Sequence, residues 1–405
     1  MSVLAISIDD FQKRARRRVP RLFFDYCDGG ASTEAALERN VARLREIRML
    51  PRGPRNIAGR AIKARLFGRD YAMPLGIAPI GLANLFWPGT DIALARAAKE
   101  ADIPHVLSTA ASTMLEDVAP AAGGNGFFQL YTSRDDAITE DLLKRAEEAG
   151  YEVLIVTIDV AMPGKRRRDL RNGFRLPMPM GPKFALQVAR CPSWAFASLG
   201  QPVPRIVNLE RYAPASGAQS LAAFMAAQIS PMVDLDQIVR IRDRWKGKMA
   251  VKGILNPLDA VELAERGVDG VVVSNHGGRQ LDSAPATIDA LPPIVEAVGD
   301  RMTVMMDGGI RTGEDVAKAL ALGADFVFAA RPFIYGMGAT GSATPAIDIL
   351  KDEFDRALAH LGCVSPADLG HSHLWPADLP VRRGGMRPAA GECPDADDRA
   401  FRAAV

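Results

Sequence analysis

Several things are scarce in this sequence, and each scarcity narrows the field. Cysteine occurs only four times in 405 residues (Cys27, Cys191, Cys363, Cys393), widely scattered and with no C-x-x-C pair. That excludes a disulfide scaffold or a zinc ribbon and fits a reducing compartment. No run of about 18 strongly apolar residues is found, so no membrane-spanning helix is expected. An excess of one charge is missing too. Lys and Arg number 50 against 48 Asp and Glu, leaving +2, which argues against a nucleic-acid-binding protein. Asp9 and Asp10 interrupt what would be the apolar core of a signal peptide, so no secretion signal is read. What is present is a globular composition, 48% hydrophobic and 24% charged, enough to build a core.

The middle of the chain alternates short, nearly continuous apolar runs with amphipathic segments. The runs are 73–80, 104–108, 126–131, 153–160, 248–254, 269–275, 302–308 and 325–331. Continuous rather than alternating apolar runs are the mark of parallel strands covered on both faces. Between them stand helical patterns such as DIALARAAKEA, DLLKRAEEAG, DAVELAERG and EDVAKALALG. Eight such units in succession predict an α/β fold, a (β/α)8 TIM barrel, rather than an open sheet. The predicted domain spans residues 1–370, and residues 371–405 read as a mobile tail.

In such a barrel, chemistry belongs where strands end. Polar residues gather there: Pro79-Ile80-Gly81, Ser108, Gln129 and Tyr131, Thr157 and Asp159, Lys252, Ser274 with His276 and Arg279, Asp307-Gly308-Gly309 with Arg311, and Arg331. Among the five histidines only His276 follows a strand end among glycines, so it is the candidate general base, with Asp159 to steady its protonated form. His105 opens a strand and reads as a core residue. His371 and His373 have an H-x-H spacing but no third ligand nearby, so no metal site is expected. Arg279 and Arg166 are planar fork donors suited to a carboxylate, and Tyr131 can bond a hydroxyl. Lys252 would place a positive charge beside any cofactor that becomes reduced. Arg311 and Arg331, with the glycines of DGGIR, suit a phosphate. A second glycine motif, Gly336, Gly338 and Gly341, matches G-x-G-x-x-G but stands alone, and reads as a flexible loop.

The segment 161–234 breaks the strand–helix rhythm and is read as a substrate lid or membrane-facing insertion. Residues 161–233 carry ten basic and two acidic side chains and include CPSWAFASLG. A cationic segment with exposed aromatic and apolar residues suits an anionic membrane surface.

SNHGGRQLD (274–282) resembles the signature of the FMN-dependent L-2-hydroxy acid oxidase and dehydrogenase family. The likeness extends from about Ile8 to Gly362, through FFDYCDGGA (23–31), PLGIAPIGL (74–82), LSTAAS (107–112), FQLY (128–131), residues 157–174, KGIL (252–255) and residues 307–325. The resemblance implies FMN as cofactor and the oxidation of an (S)-2-hydroxy acid to a 2-oxo acid. It implies that His276 takes a proton from substrate, supported by Asp159, and that Arg166 and Arg279 bind the carboxylate. Tyr26 would be a further donor, and Tyr131 would lie near the substrate hydroxyl. Pro79, Ile80, Ser108, Gln129, Thr157, Lys252 and Ser274 would contact the flavin. Asp307, Gly308, Gly309, Arg311 and Arg331 would hold its ribityl chain and phosphate.

Within the family, GLANLFWPGTD (81–91) and KRRRDLRNGF (165–174) look like the membrane-associated, mandelate-oxidising bacterial branch. Gly81 stands where oxidases of the family commonly carry Ala. The resemblance therefore implies (S)-mandelate as substrate and a membrane quinone as acceptor. L-lactate with quinone, or an oxidase releasing hydrogen peroxide, is the alternative. It also implies a homotetramer and peripheral contact with the cytoplasmic face of the inner membrane. Two residues depart from the family pattern: Arg167 stands in place of Glu beside Arg166, which is expected to put another positive charge close to the site, and Ala330 stands in place of Gly before Arg331.

Overall fold

The computed structural model describes residues 5–175, 181–212 and 233–375. Eight parallel strands close into a barrel in chain order: β3 (Leu75–Ile77), β4 (His105–Ser108), β5 (Gly126–Leu130), β6 (Val153–Thr157), β7 (Lys248–Ile254), β8 (Gly270–Val273), β9 (Thr303–Asp307) and β10 (Phe326–Ala329). Helices lie between them, as expected of a (β/α)8 barrel. The strand β6 is shorter than its apolar run and stops at Thr157, so Asp159 stands in the loop beyond it.

The period-2 alternation of a strand explains how this barrel makes a site. Val106, Phe127, Ile155, Ala250, Val272 and Met305 belong to the apolar filling of the barrel interior. Two residues further along each strand the sequence turns polar: Ser108, Gln129, Thr157, Lys252, Ser274 and Asp307, all buried. The result is a polar layer resting on an apolar plug. The opposite end is closed by a hairpin the sequence did not announce, β1 (Ala64–Leu66) and β2 (Arg69–Tyr71). Leu66 and Tyr71 join the interior cluster, and the Tyr71 ring lies 5.9 Å from that of Phe326. The mouth above the polar layer opens into a cavity lined by Thr157, Lys252 and Asp307.

Three N-terminal helices, also unread in the sequence, brace the mouth: α1 (Ile8–Arg18), α2 (Arg21–Asp28) and α3 (Ala35–Glu46). In α1 the buried Ile8, Phe11 and Ala15 recur at helical spacing, and Ser7 caps the first turn. It packs on the helix Arg331–Thr340, and this corrects the reading of Gly336, Gly338 and Gly341. They form no flexible loop. Gly336 and Gly338 are buried in that helix and Gly341 caps it with φ 85°. A Cβ on Gly338 would sit 2.5 Å from Phe86 and 2.9 Å from Ala15, so close helix packing selects the glycine.

Residues 371–375, expected to belong to the tail, are packed on the domain. His373 is buried, its carbonyl accepts from Leu50 N at 2.7 Å, and Trp375 N donates to Arg48 O at 2.8 Å. The rest of the expected tail, 376–405, lies outside the described residues. In the insertion, Trp194 is not an exposed aromatic: its ring packs 5.2 Å from that of Phe23.

Candidate active site

The polar layer carries an internally compensated charge. Lys252 Nζ donates to Ser274 Oγ at 2.8 Å and pairs with Asp307 at 3.2 Å. Burial opposes the ammonium form, but the carboxylates of Asp307 and Asp159 outweigh it and raise the Lys252 pKa. Ser108 Oγ donates to Gln129 Oε1 at 2.9 Å. Three buried polar atoms of the layer have no partner: Gln129 Nε2, Thr157 Oγ1 and Asp307 Oδ1. Unsatisfied buried donors and acceptors are costly. Here they converge with a buried ammonium and match the carbonyl and N–H edge of a flavin ring.

Above this layer His276 is held in the left-handed region, φ 57°, an uncommon conformation for a residue with a side chain. Its backbone N–H donates to Ser274 Oγ at 3.1 Å, and Nδ1 lies 2.8 Å from Asp159 Oδ1. That contact leaves Nε2 for a ligand. Burial alone would raise the Asp159 pKa, but His276 and Lys252 hold it below the usual carboxylate value. Gly253 makes room for the pair, since a Cβ there would come within 2.7 Å of Asp159 Cβ.

Facing the base is a cationic wall built on Tyr26. The Arg166 and Arg279 guanidiniums stand 5.6 and 5.3 Å from its ring centre, and the ring stacks on Phe174 at 4.5 Å. Arg279 donates to the carbonyls of Tyr26 at 2.6 Å and Gly29 at 3.0 Å. Burial, and then repulsion from Arg166, lower the Arg279 pKa. Asp169 pairs with Arg166 at 3.6 Å, and two guanidiniums on one cavity wall suit a further anion. Tyr131 lines the same space, and burial, followed by the Asp159 charge, raises its pKa and keeps its hydroxyl a donor.

At the far end Arg331 donates to the carbonyls of Cys27, Gly277 and Gly29 at 3.2, 2.9 and 2.9 Å. Of its five N–H groups two remain for a ligand. Burial lowers its pKa to about 10. Arg311 lies nearby, its guanidinium 6.0 Å from the ring centre of Tyr335. Gly308 and Gly309 have φ 101° and 84°. A Cβ on Gly309 would lie 2.5 Å from Asn40 O, so glycine is required for this strand end to turn close under α3.

One cavity of about 240 Å³ brings together Tyr26, Pro79, Ile80, Gly81, Tyr131, Thr157, Arg166, Lys252, His276, Arg279, Asp307, Gly308, Gly309, Arg311 and Arg331. Ser108, Gln129, Ser274 and Asp159 do not line it; the contacts above set them behind its wall. Arg167, expected to add charge near the site, is exposed and does not line the cavity. Its neighbour Arg168 instead pairs with Asp28 at 2.7 Å and with Glu34, tying the insertion to the end of α2.

The sequence reading missed Ala110 and Gln280, which line the cavity, and Asn40. Asn40 exchanges two 2.8 Å side-chain bonds with Asn275. Gln280 lies inside the SNHGGRQLD run and could have been singled out there. Asn40 has no comparable signal.

A barrel with a phosphate-suited end, a flavin-suited floor and a histidine–carboxylate pair opposite two arginines defines a flavin-dependent enzyme of small anionic substrates. The family of FMN-dependent dehydrogenases matches residues 15–376. An L-lactate dehydrogenase of Caulobacter vibrioides (strain NA1000 / CB15N) is 38% identical over 377 residues, 92% of this chain and 98% of the relative. An (S)-mandelate dehydrogenase of Pseudomonas putida is 36% identical over 376 residues, 92% and 95% of the two chains. The crystal structure of the monotopic membrane protein (S)-mandelate dehydrogenase superposes with TM-score 0.88 at 35% identity, covering 92% of this chain and all of that one. This chain belongs to the FMN-dependent dehydrogenase family, as an FMN-dependent 2-hydroxy acid dehydrogenase.

Proposed function

We propose that the protein oxidises (S)-mandelate to benzoylformate and passes the electrons to a membrane quinone. The observation that carries this reading is the cavity in which His276, backed by Asp159, faces the two guanidiniums on Tyr26. Arg166 and Arg279 would bind and orient the substrate carboxylate, and Tyr131 would bond the oxygen on the α-carbon. His276 Nε2 would take the substrate proton, and Asp159 would stabilise the imidazolium that forms. FMN, which the polar layer with Arg311 and Arg331 would hold, would supply the sink for the two electrons and the second hydrogen of the oxidised CH–OH group.

Aryl preference is supported by the likeness to (S)-mandelate dehydrogenases; Gly81 lines the cavity where a Cβ would crowd Ala110 Cβ at 3.2 Å. L-lactate is the second reading, favoured by the Caulobacter relative. A peripheral membrane contact is supported by the insertion, where Met162, Leu186, Phe196 and Leu199 are 80, 52, 72 and 70% exposed among basic side chains. Among the described residues no helix is long and apolar enough to cross a membrane.

The test is an absorbance spectrum of the purified protein followed by anaerobic addition of each acid. Rapid bleaching of a flavin band by (S)-mandelate and slow bleaching by L-lactate is expected. Bleaching by lactate alone would transfer the protein to the second reading. A protein that holds no FMN would overturn both. Rapid peroxide formation in air, with no reduction of a soluble quinone analogue, would overturn the acceptor.

A further inference from the structure

We infer that Gln280 is a positioning residue that sets the distance between the two carboxylate-binding arginines; the inference rests on the reaction class proposed above. Arg279 and Arg166 come from different loops, one after β8 and one after β6, and nothing in either sequence segment fixes their separation. Gln280 joins them. Its Nε2 donates to Asp159 O at 2.7 Å and to Met162 O at 3.3 Å, and its Oε1 accepts from Gly164 N at 3.0 Å. One side chain thus binds three backbone groups of the segment that starts at the base's carboxylate partner and ends two residues before Arg166.

The amide is chemically required, because the two carbonyls need a donor and the Gly164 N–H needs an acceptor. A carboxylate could serve only the N–H, and an alkyl chain neither. The fit is tight from the other side as well. A Cβ on Gly164 would collide with the Arg279 carbonyl oxygen and stand 3.0 Å from Gln280 Cα. The segment therefore lies directly on the backbone that carries Arg279. Its position fixes Asp159 against His276 and Arg166 across from Arg279. Displacements of about 1 Å in such a constellation cost on the order of 10²-fold in rate.

The test is Gln280→Met, which keeps the length and removes the amide, with Gly164→Ala as the disturbance from the opposite face. All rates are taken per bound FMN, so a loss of folded or loaded protein does not enter. For Gln280→Met a rise of at least tenfold is expected in KM and in the Kd of the 2-oxo acid product, read by perturbation of the flavin spectrum, with a smaller fall in kcat. Gly164→Ala should show the same pattern. The double variant should fall short of the sum of the two effects, because both act on one contact.

KM and product Kd within twofold of wild type in Gln280→Met would overturn the inference. If that variant yields no flavoprotein, an unchanged KM in Gly164→Ala does so instead. A wild-type protein reduced by no 2-hydroxy acid would count against the proposed reaction, whereas normal wild-type turnover with unaltered variants counts against Gln280 alone.

Discussion

Two histidines at opposite ends of the barrel show how position along a strand decides what an imidazole can do. His105 is the first residue of β4 and is buried at the closed end of the barrel. Its Nδ1 has no partner, and burial lowers its pKa to about 4. His276 stands past the end of β8 on a left-handed turn, a quarter exposed, with Nδ1 on Asp159. The first is filling and stays neutral. The second has a carboxylate behind it, a cavity before it and two guanidiniums opposite.

The largest effect that would sharpen this contrast is on His276. His276→Gln is expected to lower kcat by about 10³- to 10⁴-fold while the flavin spectrum is kept; stopped-flow reduction by substrate measures it, and near-normal reduction would break the assignment. Asp159→Asn comes next. It preserves size and removes the charge that supports the imidazolium, and kcat should fall on the order of 10²-fold in the same assay. Arg166→Met should act differently, raising KM by roughly 10- to 100-fold, the loss of one charge-assisted pair, with FMN content unchanged.

At the small end, His105→Gln should leave turnover within about twofold and alter only stability. The folded pKa of His105 lies near 4, below the ordinary 6.5, so between those values the unfolded chain binds the proton and the folded one does not. Stability falls as pH drops through that window, by roughly 3 kcal/mol from this residue, and no further below it. The variant should lack that increment when urea midpoints at pH 7 and pH 4.5 are compared with wild type. An identical pH response would show that His105 is not buried neutral.

The same contrast explains what the sequence allowed one to read. The barrel was legible because its strands are buried on both faces, and the active-site floor because a polar residue at the end of an apolar run is conspicuous. Asp307 after Met305 and Lys252 after Ala250 are examples. The hairpin under the barrel and the helices α1 to α3 lie outside the eight-fold strand–helix repeat, so that pattern did not point to them, although Ile8, Phe11 and Ala15 of α1 do recur at helical spacing. Gly338 was misread because a glycine chosen for helix packing looks the same in sequence as one chosen for a loop. The expectation that Arg167 would charge the site failed for a related reason. Neighbours on a short helix face different ways, and it is Arg168 that turns inward to Asp28 and Glu34. Gln280 stands within the SNHGGRQLD run, but its partners are backbone groups, so its role there was not legible.

The carbonyls that hold Arg279 and Arg331 have a consequence for how the molecule is made. Gly29 is synthesised near the start of the chain, and the two guanidiniums that bind its oxygen follow 250 and 302 residues later. Contacts of such sequence separation form late, after the loops between them have closed. A nascent chain therefore lacks the contact between Arg331 and Gly29, on which the proposed phosphate end rests, until its last barrel strand has left the ribosome. On that reading retention of FMN would report that the ring has closed, and a yellow colour would serve as the protein's own certificate of folding.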